Sequence, residues 1–133
     1  MKSLSISSIM TRNVVCVSPD QKLIDVKRIY EKELFHHHIP VIENESLIGM
    51  VSLIDFMYRI EGAGLDDNNP IYSELLVKDI MTTKPFELPL NSTIEEVATE
   101  LSKGRFHAIP ITDNHKVVGI VSTQDIIRYF LDY

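Results

Sequence analysis

The chain repeats itself, and the duplication restricts the possible folds more than any other feature of its 133 residues. His37-His38-Ile39-Pro40-Val41-Ile42-Glu43-Asn44 aligns with His107-Ala108-Ile109-Pro110-Ile111-Thr112-Asp113-Asn114, 70 positions further on. The same displacement carries Gly49-Met50-Val51-Ser52-Leu53-Ile54-Asp55 onto Gly119-Ile120-Val121-Ser122-Thr123-Gln124-Asp125. With one residue of slip, Ser8-Ile9-Met10-Thr11 maps onto Asp79-Ile80-Met81-Thr82. This reading places repeat one at 1–60 and repeat two at 77–133. Residues 61–76 become a linker that opens on a polar Gly/Asn/Pro stretch.

Each repeat has one grammar: strand, helix, strand, strand, helix. A β-branched run, Val14 to Val17, opens the first. An amphipathic helix follows, carrying Leu23, Val26, Ile29 and Tyr30 in repeat one and Ile94, Val97, Ala98 and Leu101 in repeat two. Ser92 and Glu95 have capping-box spacing at its start, and Gly104 is placed to stop it. Two strands then pair, Ile39–Glu43 with Leu47–Val51 and Ile109–Thr112 with Val117–Val121. Asn44-Glu45 and Asn114-His115 sit at the tight turns. A last helix begins near Ser52 and near Ser122. One such unit cannot hide both faces of its sheet. The expected fold is therefore α/β (α+β), with two pseudo-symmetric repeats packed through their sheets.

Charge narrows the function. The net charge is −6 and no basic stripe is present, which opposes nucleic-acid binding. The single cysteine, Cys16, excludes an intrachain disulfide and a multi-cysteine zinc site, and fits a reducing, cytoplasmic setting. No apolar run reaches the ~18–20 residues that span a bilayer, so no membrane partner is expected. No Walker phosphate loop and no activated nucleophile are visible, so no catalytic residue is assigned.

The duplicated Ile-Met-Thr, Ile-Pro-Val/Ile and Gly-x-Val-Ser-x-x-Asp segments resemble the CBS domain, named after cystathionine β-synthase, and the tandem resembles a Bateman module. The resemblance implies a non-catalytic sensor. Its regulatory ligand would contain adenosine (AMP, ADP, ATP, S-adenosylmethionine or a dinucleotide) and bind in clefts between the repeats. Its signal would be a change of conformation or assembly. It also implies a homodimer built through helices, for which Phe56, Met57, Ile60, Ile126, Ile127 and Phe130 are the candidate surface, and a regulated protein that the sequence does not name. The alternative is a ligand-free dimerisation or protein-interaction module.

The candidate site residues follow from chemistry and from the family. Free N–H groups at a helix start favour an anion, and Ser122 or Ser52 can donate to a phosphate. One turn on, Asp125 or Asp55 can accept both hydroxyls of a ribose, the role this Asp has in the family. Ser-x-x-Asp is equally a capping-box pattern, and the two roles can coexist. Thr123 and Gln124 add hydrogen-bonding capacity where repeat one has Leu53 and Ile54, which favours the Asp125 cleft. Adjacent strand residues face opposite ways, so His36-His37-His38 cannot all converge on a metal, and no metal site is assigned. The family instead implies phosphate contacts from His37 and His38 in the Asp125 cleft, and from Arg105 and His107 in the Asp55 cleft. It implies an adenine pocket from Thr11, Val14, Val15 and Cys16 in one repeat and Thr82, Pro85 and Phe86 in the other.

Overall fold

A computed structural model describes residues 4–32 and 37–131; His36 lies outside them. The chain divides into two compact units. One is Val15–Pro85, and the other joins Met1–Val14 to Phe86–Tyr133. The units are cut differently from the sequence repeats, because each repeat's Met-Thr segment packs in the unit formed by the body of the other.

In the first unit, α1 (Leu23–Lys32) precedes a hairpin of β1 (His38–Glu43) and β2 (Ser46–Ser52), and α2 (Leu53–Arg59) follows directly. Two short helices, α3 (Ile71–Glu74) and α4 (Val77–Ile80), lead to β3 (Thr82–Thr83), which pairs antiparallel with β2 through Gly49 and Met50. The expected opening strand is reduced here to one residue, Val17, in a parallel bridge with Val41. Leu23, Val26, Ile39, Val41, Val51, Phe56 and Tyr72 form the core.

The second unit repeats the plan. A 3₁₀ turn at Ile6–Ser8 precedes β4 (Leu88–Pro89), α5 (Ile94–Ser102), β5 (Ala108–Asp113), β6 (Lys116–Ser122) and α6 (Thr123–Phe130). β4 pairs parallel with β5, and β5 pairs antiparallel with β6. Ile6, Ile94, Val97, Ile109, Ile111 and Val121 fill its core. Both hairpins turn through two residues at positive φ, Asn44 (51°) with Glu45 (70°) and Asn114 (52°) with His115 (68°), the geometry of a tight I′ turn. Each hairpin has a register break at the same place, after Val41 and after Ile111.

Two details differ from the sequence reading. The cap of α5 is Thr93, not Ser92: Thr93 Oγ1 accepts the Glu96 N–H at 3.1 Å and Glu96 answers the Thr93 N–H at 3.3 Å. Ser92 belongs to the preceding turn, where its N–H donates to the Pro89 carbonyl and its buried hydroxyl has no partner among the described residues. Gly104, at φ +77°, does end the helix, and its N–H closes on the Leu101 carbonyl. The second difference is the stretch after α2, which docks instead of hanging free. Asp67 takes hydrogen bonds from Lys27 (2.6 Å) and Arg28 (2.7 Å) of α1, and Tyr72 lies buried beneath Lys27.

Candidate functional site

The site elements are the two strand-to-helix junctions. In the second unit Ser122 is extended and caps α6. Its Oγ accepts the Asp125 N–H at 3.2 Å, and Asp125 Oδ2 accepts the Ser122 N–H at 2.9 Å. That is a full capping box, and one carboxylate oxygen of Asp125 stays outside it. Thr123 ties the junction to β5. Its N–H donates to the His107 carbonyl at 3.0 Å and its hydroxyl leans on the same oxygen at 3.4 Å.

In the first unit Ser52 caps α2 by accepting the Asp55 N–H at 3.0 Å, and the Leu53 N–H donates to the His37 carbonyl at 2.7 Å. The return bond is missing: among the described residues the half-buried Asp55 carboxylate accepts no hydrogen bond. Its charge acts on the Tyr30 phenol, whose oxygen is buried and has no hydrogen-bond partner among the described residues. Burial first, and the Asp55 charge second, push that phenol well above its ordinary pKa.

The Met-Thr segments explain the glycine of each Gly-x-Val-Ser-x-x-Asp motif. Thr11 exchanges two backbone hydrogen bonds with Ile120, both 3.0 Å, and Met10 lies over Gly119, where any Cβ would strike its sulfur. In the other unit Thr82 pairs with Met50, and Met81 lies over Gly49 in the same way. Thr11 therefore stands beside the strand that ends at Ser122, and Thr82 beside the strand that ends at Ser52. The sequence groups these threonines by repeat, and the structure exchanges them. A glycine inside a strand pattern signals close approach of another backbone, and that signal was present.

The remaining candidates fall as follows. His37 is exposed just before β1, and His38 opens β1 opposite Ser52. Arg105 and His107 are exposed between α5 and β5, and Arg105 makes no hydrogen bond or ion pair among the described residues. Phe86 stacks on Phe106 with ring centres 5.1 Å apart and planes 9° from parallel. Val14, Val15, Cys16 and Pro85 are half-buried, and burial pushes the Cys16 thiol above its ordinary pKa. Of the proposed dimer surface, Met57, Ile127 and Phe130 are exposed, with Phe130 at 69%. Phe56, Ile60 and Ile126 are not: they face inward and belong to the cores, because they occupy the buried stripe of their helices.

These features define a class: a duplicated α/β module whose copies each end a hairpin in a serine-capped helix with an Asp in its first turn. Comparison gives the family. The CBS domain model matches residues 6–62 and 77–132, and the chain belongs to the CBS domain family. It is 34% identical over 128 residues to the uncharacterized protein MJ0188 of Methanocaldococcus jannaschii, covering 95% of this chain and 44% of that protein. The chain thus spans less than half the length of that relative. Among solved structures it resembles CBSX2 in complex with AMP, with a TM-score of 0.81 at 22% identity over 97% of both chains. It also resembles the CBS domain pair of MJ0100 in complex with 5′-methylthioadenosine and S-adenosyl-L-methionine, with a TM-score of 0.80 at 20% identity over 98% of both. No helix among the described residues is long and apolar enough to cross a membrane.

Proposed function

We propose that this chain is a non-catalytic regulatory module that binds an adenosine-containing ligand at its Ser-x-x-Asp junctions and signals by a change of conformation or assembly. The observation that carries the reading is the Asp125 junction. A capped helix start with a serine hydroxyl, a carboxylate oxygen outside the cap and a threonine-bearing strand alongside supplies the partners that a ribose and a phosphate need. The AMP complex of one structural neighbour and the S-adenosyl-L-methionine complex of another support an adenosyl ligand class. Histidines and Arg105 are the proposed phosphate contacts. Regulation in a cytoplasmic setting, with a second copy or another protein as the receiver, completes the proposal.

The exposed apolar residues of α2 and α6 favour a second reading, a dimerisation or protein-interaction module. Calorimetric titration separates the two. AMP, ADP, ATP, S-adenosylmethionine and NAD are titrated into wild type and Asp125→Ala. At least one ligand is expected to bind at micromolar concentration, weakened about tenfold or more by the substitution, since a lost charged hydrogen bond has that size. No binding by any of the five at millimolar concentration would overturn the sensor reading in favour of the second.

A further inference from the structure

The second unit contains an open cavity of about 620 Å³, within the ~300–1,000 Å³ span of small-molecule sites. It lies away from the Ser122–Asp125 junction, at the other end of the β5–β6 hairpin, where the Asp113–Asn114 turn meets the 3₁₀ turn and the segment after β4. Among the described residues its lining holds one cation, Arg12, and one carboxylate, Asp113. The hydroxyls of Ser5 and Ser7, hydrogen-bonded to each other at 2.9 Å, and the Asn91 amide also line it, with Pro89 and Leu90 as apolar lining. The Arg12 guanidinium is oriented by one bond to the Ser7 carbonyl, 2.9 Å, and pairs with no carboxylate among the described residues. Most of its fork is left to face a ligand.

The equivalent segments of the first unit are joined differently. A displacement of 71 residues maps Ser7 onto Lys78, Asn91 onto Asp20 and Leu90 onto Pro19. There the two segments are stitched together: the Lys78 N–H donates to the Pro19 carbonyl at 3.0 Å, and Lys78 Nζ bridges to Asp20 at 3.3 Å. In the second unit the Ile6 N–H still joins the segments through the Ser92 carbonyl at 2.9 Å, but the Ser7 N–H turns to the Ser5 hydroxyl at 3.2 Å, and no ion pair among the described residues links the two segments. Arg12 is itself specific to this unit, since its counterpart is Thr83.

We propose that this cavity binds a small zwitterion, a free α-amino acid. Its carboxylate lies on the Arg12 fork with the serine hydroxyls, its ammonium on Asp113, and its aliphatic portion against Leu90. A guanidinium takes a carboxylate in two parallel bonds, and a single opposed carboxylate selects a ligand carrying both charges over a simple anion. The site is independent of the nucleotide reading and stands or falls apart from it.

The test is a two-dimensional amide NMR titration of the full chain with each common L-amino acid at millimolar concentration. N-acetylated amino acids and inorganic phosphate serve as comparison probes. At least one free amino acid is expected to give saturable shifts at Ser7, Asn91 and Asn114. Arg12→Ala and Asp113→Asn should each weaken that binding about tenfold or more. Both positions are exposed, and an unchanged spectrum away from the cavity verifies the fold of each variant. The proposal is overturned if no free amino acid gives saturable shifts there, or if the shifts collect at Ser122–Asp125. It is also overturned if phosphate or the acetylated compounds bind as tightly as the free amino acid, which would leave only an anion site.

Discussion

Ser52–Asp55 and Ser122–Asp125 share one spacing, one pair of end residues and one preceding Gly-x-Val, yet their carboxylates are in different states. Asp125 closes a capping box and keeps one oxygen outside it. Asp55 receives its cap from Ser52 but returns no hydrogen bond among the described residues, and its charge acts on the half-buried Tyr30. In the second junction a binding group also holds the helix end. In the first the carboxylate is free of that duty, at the cost of facing a neutral phenol that is itself unsatisfied. A shared motif thus fixes where a carboxylate stands without fixing what it does there.

The largest expected difference between the halves lies at the motif glycines. A Cβ at Gly49 would meet the Met81 sulfur and, at 3.0 Å, the Thr82 carbonyl oxygen, which is backbone and cannot swing away. At Gly119 the three nearest atoms to a Cβ all belong to the Met10 side chain, whose rotamers give it somewhere to go. Gly49→Ala should cost about 1–3 kcal/mol, the usual range for forced overpacking, and Gly119→Ala less. Urea unfolding of the two variants reads the order directly. Equal losses would mean that both methionines are locked and that the crossings are alike.

The capping difference comes next in size. Asp125→Ala removes one bond of a capping box and should lower stability by about 0.5–2 kcal/mol before any ligand is added. Asp55→Ala removes a carboxylate that caps nothing, and its effect should stay within about 0.5 kcal/mol. Ligand-free urea midpoints decide the matter. A loss at Asp55 as large as that at Asp125 would show that the two junctions work alike in solution.

Much of this was legible in the sequence, for local reasons. The hairpin turns were, because Asn44-Glu45 and Asn114-His115 sit between β-branched runs at turn spacing. So were the two caps Ser52 and Ser122 and the stop at Gly104. The α5 cap was misplaced by one residue because Ser92 and Thr93 each have a glutamate three positions on. Only the backbone, extended at Thr93 with φ −89° and ψ 160°, chooses between them. The exchange of Met-Thr segments was not read because it is a long-range pairing, and local periodicity carries no information about partners. Lys27 was equally hidden. Its place on the buried stripe of α1 makes sense only once Asp67, 40 residues on, is brought to it. The state of Asp55 depends on a side chain from another helix, and no spacing rule reports that.

Tyr30 is the side chain that makes the Asp55 junction different, and alkaline pH exposes it. Its counterpart in the second unit is Leu101, which has nothing to titrate. Burial and the Asp55 charge both favour the protonated phenol, so its pKa in the folded state lies above the ordinary value of about 10 found in the unfolded chain. The folded form therefore holds the proton more tightly. The stabilisation this gives is complete below about pH 10 and is lost as pH rises from there towards the folded value. Wild type should lose stability steadily above about pH 10, and Tyr30→Phe should make that limb shallower while leaving the acid side unchanged; Tyr72, raised by burial, and Lys27, raised by its bond to Asp67, keep the rest of it. At neutral pH the same substitution removes a buried hydroxyl with no partner, so it should leave the urea midpoint equal or higher. A lower midpoint at neutral pH, with the alkaline limb unaltered, would mean that the phenol is satisfied in solution. Asp55 would then be as fully engaged as Asp125.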